Sequence, residues 1–455
     1  MIKKSLAIAV GLTSTQFAIA QGFYVDEQSA LRLGDAFSGG AAQADDASTA
    51  FYNPAGLIRL KQKQATINLS SIAISSEFSG DSTTLGGAPV NGEKASSDTF
   101  DLLPAIYFSV PMSEDLVFGA YLNAPYATGA DFGNNSTARY FATESKITGI
   151  DFGTALAFKA TDNLSFGISM IMQYISATVA QAINTSAACK GAELAGQLGP
   201  FTCPALGIND SELGQTTYDS HFEMEGDDLN IGFTAGMLYQ FSPESRIGLH
   251  YKNRISHELQ GTATVDVPAN AQTFGNLAGL TTAKANGTAT LETPSQANLS
   301  FYQGLGLFSI QADIQWTDWS SFQELAVESD NEVVQGVATP QVYDWVESYR
   351  YSIGGSYQLN PSLKLRTGLA LDQSPIKDAN TKIDFAFDDY KALSFGLTYD
   401  MNKDMAFDIG IQKTFTQKRT LAQGNTSDPA QNFSALRGDV TTDVLSLAAA
   451  INMKF

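Results

Sequence analysis

The side chains best equipped for chemistry are few. Three histidines (His221, His250, His257) and two cysteines (Cys189, Cys203) are all the imidazoles and thiols in 455 residues. His257-Glu258 opens the H-E-x-x-H pattern that lets a helix hold zinc, but Gly261 stands where the second histidine is needed. The G-x-S-x-G turn that presents a nucleophilic serine is absent, and so is the phosphate-cradling G-x-x-x-x-G-K-[ST] loop. Carboxylates are plentiful, but nothing in the pattern pairs them. The expectation is no catalytic residues, no metal ligands and no cofactor.

Charge narrows the partners. Lys plus Arg is 27 and Asp plus Glu is 47, a net charge of −20. That disfavours nucleic acid as a partner, because phosphate binding needs clustered positive charge. The first 20 residues read as a secretory leader. Lys3 and Lys4 begin it, Leu6 to Leu12 is its apolar core, and Ala18-Ile19-Ala20 fits the small-x-small cleavage pattern. In an exported chain, Cys189 and Cys203 are expected to form a disulfide. In the chain-entropy model, closing a loop of that size stabilises by up to roughly 3 kcal/mol. Beyond the leader, no apolar run of about 20 residues remains to cross a bilayer as a helix. A closed β-barrel is the other structure that satisfies every backbone group in lipid.

The elements that position these residues follow a period of two. Phe308, Ile310, Ala312, Ile314 and Trp316 alternate with Ser309, Gln311, Asp313 and Gln315; Met405, Phe407, Ile409 and Ile411 alternate with Ala406, Asp408, Gly410 and Gln412. Each strand thus has one apolar and one polar face. Strands are expected near 64–78, 98–111, 115–127, 144–160, 163–182, 219–242, 245–262, 286–302, 305–329, 340–358, 362–374, 380–400, 404–420 and 437–455. The joins alternate between tight turns, such as Thr161-Asp162-Asn163 and Asn360-Pro361, and long loops near 79–97, 127–143, 183–218, 263–285, 330–339, 375–379 and 421–436. An even strand number with short turns at one end and long loops at the other describes an outer-membrane barrel. The last strand carries Leu445, Leu447, Ala449, Ile451 and Met453 on one face and ends on Phe455. An alternating strand with a terminal aromatic resembles the signal that barrel-assembly machinery reads.

The fold class expected is therefore all-β: a fourteen-stranded antiparallel transmembrane β-barrel with an N-terminal helical hatch in its lumen. Residues 1–20 are the leader, 21–62 the hatch and 63–455 the barrel. A barrel this wide leaves a lumen unless something fills it. Residues 21–60 lack strand alternation and are suited to that role, with candidate helices Glu27–Phe37 and Ala44–Phe51. Asp45-Asp46 suits a helix N-terminus, and Asn53-Pro54-Ala55 is a helix-stopping turn. Asn123-Ala124-Pro125-Tyr126 falls in the third strand. Proline cannot donate to a ladder and belongs at a bulge or an edge. Two readings stand: Pro125 makes a gap in the wall that the Asn53 amide braces, or it ends the strand at its loop.

The stretch Gly22 to Leu57 (GF…EQSA…LG…AFSG…AA…ADDAS…NPAGL) resembles the FadL family of outer-membrane transporters for long-chain fatty acids and other hydrophobic compounds. Trp316-Thr317-Asp318-Trp319-Ser320-Ser321-Phe322, Tyr349-Arg350-Tyr351-Ser352 and Gly368 to Pro375 continue the likeness. The resemblance implies passive uptake: capture by outer loops, an internal pocket above the hatch, and sideways exit through a kinked third strand. It implies ligand-pocket or hatch roles for Phe23, Asn53, Pro54, Ala55 and Arg350, and an opening at Asn123, Ala124, Pro125 and Tyr126. The implied partners are a hydrophobic small molecule, outer-membrane lipids and, through Phe455, the assembly machinery, with the protein a monomer. Where some members of that family carry basic residues for the carboxylate, this chain has Gln181 and Val346. Uptake of aromatic or aliphatic hydrocarbons is therefore the alternative to fatty acids, and a general diffusion porin a further one.

Overall fold

The computed structural model describes residues 22–455, so the leader lies outside the described residues. Fourteen antiparallel strands form the wall. They are β1 (Gln64–Thr83), β2 (Ser96–Pro111), β3 (Leu116–Asp131), β4 (Glu144–Lys159), β5 (Leu164–Ile183) and β6 (Ser220–Ser242). Next come β7 in two pieces (Ser245–Lys252 and Ile255–Asp266), β8 in two pieces (Ala283–Thr293 and Gln296–Leu305), β9 (Phe308–Thr317) and β10 (Ser348–Asn360). Finally come β11 (Leu363–Asp372), β12 (Tyr390–Asp400), β13 in two pieces (Met405–Thr416 and Arg419–Gly424) and β14 (Ala435–Lys454). Each pairs with the next, and β14 returns to β1 from Gln64↔Lys454 to Thr83↔Ala435, which closes the barrel. The Phe455 N–H donates to the Lys63 carbonyl at 2.9 Å and extends that seam by one bond.

The period-two pattern sorts side chains as expected. On β14, Leu445, Leu447 and Ile451 face outward, while Ser446, Ala448 and Ala450 are buried in the lumen. Phe100, Leu102 and Phe108 on β2, and Leu369 and Leu371 on β11, add to the same exposed apolar band. Such a band faces hydrocarbon.

Three strand boundaries differ most from expectation. The ninth strand ends at Thr317, the tenth begins at Ser348 and the twelfth begins at Tyr390. The residues between fold inward, because Trp319, Phe322, Tyr343, Trp345, Phe385 and Phe387 bury their rings in the lumen. Periodicity cannot separate an apolar segment facing lipid from one folded into the barrel.

Residues 22–60 fill the barrel and are almost entirely buried. The expected helices shrink to single turns, Ala30–Leu33 and Thr49–Tyr52, with a 3₁₀ segment at Pro54–Arg59. The first is cut short where Ala36 and Phe37 take positive φ, a conformation that ends a helix. Asp45-Asp46 precedes the second rather than starting it; Asp46 accepts from the Ser48 N–H at 2.9 Å. The hatch seats against paired glycines of the wall. The NPA turn lies on Gly167 and Gly236, and a Cβ on either would collide with Asn53 or Ala55. Asp35 lies on the pair Gly354 and Gly368, and the Ala30–Gly34 turn on the pair Gly396 and Gly410. Glycine is needed at these notches because two backbones approach each other closely.

Candidate ligand chamber and lateral opening

The upper lumen is packed with an aromatic cluster, the candidate chamber, built around the first hatch residues. The Phe23 ring sits edge-on to Trp319 (centroids 4.6 Å apart) and Phe322 (5.4 Å), with Tyr126 at 6.0 Å and Trp345 at 6.1 Å. Such edge-to-face pairs contribute beyond their buried area. Tyr343 stacks on Phe322 at 4.6 Å, and Phe385 closes on Trp345 at 5.3 Å. Ile72, Ile147, Ile175, Met224 and Leu259 continue this apolar lining along the wall.

Beside the chamber the wall is interrupted. The β2–β3 ladder ends at Ile106↔Leu122, although β2 continues to pair with β1. On its other side β3 shifts register between Asn123 and Tyr126, leaving Ala124 and Pro125 as a bulge. Strand β3 runs on to Asp131, so Pro125 interrupts the strand rather than ending it. The hatch fills the break. Val25 N–H donates to the Pro125 carbonyl and Ala127 N–H to the Phe23 carbonyl, both at 2.8 Å. Gln28 completes the patch: its Nε2 donates to the Ala124 carbonyl at 2.9 Å and its Oε1 accepts from the Ala124 N–H at 3.2 Å.

Asn53 does not brace this gap. Its Nδ2 donates to the Ala41 carbonyl (2.6 Å) and the Met237 carbonyl (3.1 Å), and its Oδ1 accepts from the Ala55 N–H (3.1 Å). The NPA turn therefore ties the hatch to β6, on a different part of the wall, because the notch at Gly167 and Gly236 admits it there. Pro54 and Ala55 are buried in the same contact.

Arg350 reaches into the lumen and is paired there with two carboxylates. It pairs with Asp26 at 3.2 Å and Asp372 at 3.5 Å, and donates to the Ala36 carbonyl at 3.0 Å. A buried ion pair with this many partners holds the hatch rather than waiting for a ligand. Gln181 pairs with Phe222 on β6, and Val346 lies beside Trp345 in a loop, so neither supplies a cation. At the chamber rim stands Lys382. Its Nζ donates to Gln341 Oε1 at 3.0 Å and lies 5.3 Å from the Tyr343 ring centroid. Among the described residues it makes no ion pair, and burial holds its pKa below the usual lysine range.

Above the rim, Cys189 and Cys203 are joined in the β5–β6 loop, their Cα atoms 6.0 Å apart. They pack with Ile208 and with Phe274 of the β7–β8 loop, and Leu198 and Leu206 lie against them. Leu194 and Phe201 are left exposed on the outside, as is Leu277.

Residues 11–455 match the family described as outer membrane protein transport protein (OMPP1/FadL/TodX). The chain belongs to the OMPP1/FadL/TodX family. It is 28% identical over 432 residues to a long-chain fatty acid transport protein of Escherichia coli O6:H1, covering 93% of each chain. A Pseudomonas aeruginosa FadL homologue of solved structure superposes with a TM-score of 0.84 at 23% identity, covering 95% of this chain and all of the other. The Ralstonia pickettii toluene transporter TbuX superposes with a TM-score of 0.63 at 19% identity, over 96% and 99% of the two chains. This FadL/TodX-family protein is thus an outer-membrane barrel of a transport family.

The site of this family member brings together residues the sequence placed far apart: Phe23, Tyr126 and Arg350 meet the hatch and chamber, whereas the NPA turn stands away from the opening. Sequence reasoning missed Gln28, Trp345, Phe385 and Lys382. A glutamine in a polar stretch carries no signal of its own. Trp345 and Phe385 lay in segments read as strand, where an aromatic is unremarked.

Proposed function

We propose that this protein is a passive outer-membrane transporter for long-chain fatty acids or similar hydrophobic molecules. The ligand is captured on the outer loops at Leu194, Phe201 and Leu277 and passes into the aromatic chamber. It leaves sideways through the break in β3 into the outer leaflet. The observation that carries this reading is the shared backbone: the residue that fills the chamber, Phe23, is hydrogen-bonded to the strand that bounds the opening. A ligand that displaces Phe23 therefore pulls on the patch over Asn123 to Tyr126. Each CH₂ kept out of water is worth about 0.8 kcal/mol, so release into lipid is downhill and needs no energy source.

A second reading, uptake of uncharged aromatic or aliphatic hydrocarbons, is favoured by the neutral residues at Gln181 and Val346 and by the pairing of Arg350 with Asp26 and Asp372. An open diffusion porin is disfavoured by a lumen filled with residues 22–60. The test is uptake of radiolabelled oleate and toluene by cells whose only such transporter is this protein. Ligand-dependent uptake above that of empty cells supports the reading. Rapid swelling of protein-loaded liposomes in small sugars, without oleate or toluene uptake, would replace it with the porin.

A further inference from the structure

We propose that the wall has a second lateral opening, between β6 and β7, through which the same class of hydrophobic ligand passes to or from the outer leaflet. The inference rests on the transport reading above. Its basis is a break in the ladder. Strand β6 pairs with the upper piece of β7 from His221↔Asp266 to Asp227↔Gln260, and with the lower piece from Thr234↔Lys252 to Ser242↔Ser245. Between them, residues 228–233 and residues 253–259 share no ladder pair, although β6 stays fully paired to β5 throughout.

Side chains stand in for the missing ladder. Asn230 Nδ2 donates to the Ser256 carbonyl at 2.7 Å, and Asn230 Oδ1 accepts from the Ile231 N–H at 2.8 Å. Asn253 Oδ1 accepts from the Phe233 N–H at 2.6 Å, and the Asn253 N–H donates to the Phe233 carbonyl at 3.1 Å. Backbone groups at membrane depth must be satisfied, and amide side chains satisfy them with bonds that rotate away. One apolar side chain packs over the unpaired stretch. Ile255 is buried, and a Cβ on Gly232 would collide with its side chain. Ile255 is thus a stopper seated where β6 has no side chain.

The seam lies at the right depth and on the right wall. Leu229, Ile231 and Phe233 face outward beside it, while the exposed residues above them on β6 are Glu223, Glu225 and Asp227. That is the upper edge of the apolar band. Inside, Ile175 and Leu259 of the chamber adjoin it. By register the seam lies on the same rows as the β3 bulge: one row runs Asn123, Asp151, Gln173, Asn230 and the next Tyr126, Gly149, Ile175, Asp228. A lumen-side polar belt links the two breaks. Lys252 Nζ donates to Asp151 at 2.9 Å and lies 4.8 Å from the Tyr126 ring centroid. Gln173 donates to Asp151 at 2.6 Å, and His257 bridges Gln173 and Asp228 at 3.1 Å each. A bulge that only bends a strand needs neither the stopper nor the belt.

The experiment seals one opening and manipulates the other. In protein lacking Ala124 and Pro125, uptake of radiolabelled oleate should fall but stay several-fold above empty cells. Ile255→Ala in that background should raise it at least threefold, and a cross-linked N230C/S256C pair should abolish it. Heat-modifiable gel mobility checks that each variant folds. Independently, a diazirine-bearing stearate photolysed with the native protein in detergent should label residues 228–233 or 253–259. Background uptake in the deletion protein that Ile255→Ala leaves unchanged overturns the proposal. Adducts confined to the chamber and the β3 bulge overturn it as well. The transport reading fails separately, when native protein takes up no oleate or toluene and no stearate adduct forms anywhere in the lumen.

Discussion

At the scale of single residues, the proposed chamber is tested at Phe23 and a proposed carboxylate contact at Lys382, the cation at its rim. Phe23→Ala removes a ring that touches Trp319, Phe322 and Trp345. Uptake is expected to drop while barrel assembly, read by gel mobility, stays normal; unchanged uptake would reduce Phe23 to a packing role. Lys382→Gln should weaken half-saturation for oleate by about an order of magnitude and leave toluene unchanged. The same cation gives a pH signature. Burial lowers the Lys382 pKa, so its charge is present at low pH and is lost on raising pH sooner than for an exposed lysine. Oleate affinity should fall on that alkaline limb, and the fall should vanish in Lys382→Gln. Asn53→Ala takes the side-chain donor from the buried Ala41 carbonyl and unties the hatch from the Met237 carbonyl of β6, which costs about 1–3 kcal/mol. Faster proteolysis of the hatch at unchanged barrel stability is the readout.

At the scale of elements, the strand–loop rhythm was legible and the lumen was not. All fourteen strands were visible because one face meets lipid and one does not, a contrast period two reports directly. The hatch helices were overestimated, since turns pressed against wall glycines take backbone angles no helical propensity encodes. Residues 318–347 and 373–389 were partly misread as wall because they are as apolar as strands. Pro125 left two readings open, an interruption or a strand end, because proline is excluded from the ladder in either case, and the structure shows the interruption; the β6–β7 seam, made by Asn230 and Asn253, has no such marker. Deleting Ala124 and Pro125 should restore a regular β3 and cut uptake severely without preventing folding. A cross-link across the β2–β3 gap should do so reversibly. The β5–β6 loop offers a separate check: peptide mapping without reductant should recover Cys189 linked to Cys203, and two alkylatable thiols would refute the bond.

At the scale of the whole molecule, closure and filling are distinct achievements. The barrel closes through the β1–β14 backbone ladder, and the hatch rests on both strands: the Ala30 N–H donates to Asn68 Oδ1 at 2.7 Å and the Ser446 hydroxyl to Glu27 at 2.9 Å. Circular dichroism should be dominated by β-structure, and liposomes carrying the protein should not swell rapidly in small sugars, because residues 22–60 occupy the lumen. The paired wall glycines have a further consequence, for how such a chain tolerates change. Gly167 and Gly236, Gly354 and Gly368, Gly396 and Gly410 each accept one stretch of hatch backbone. Substitution at any of them is therefore judged against the hatch, up to some 380 positions away along the chain. A side chain that strengthens the sheet in a hatchless barrel, where glycine is a poor strand former, should harm the intact protein. The same substitution would thus carry opposite signs in the two backgrounds, so wall and hatch can drift only in step.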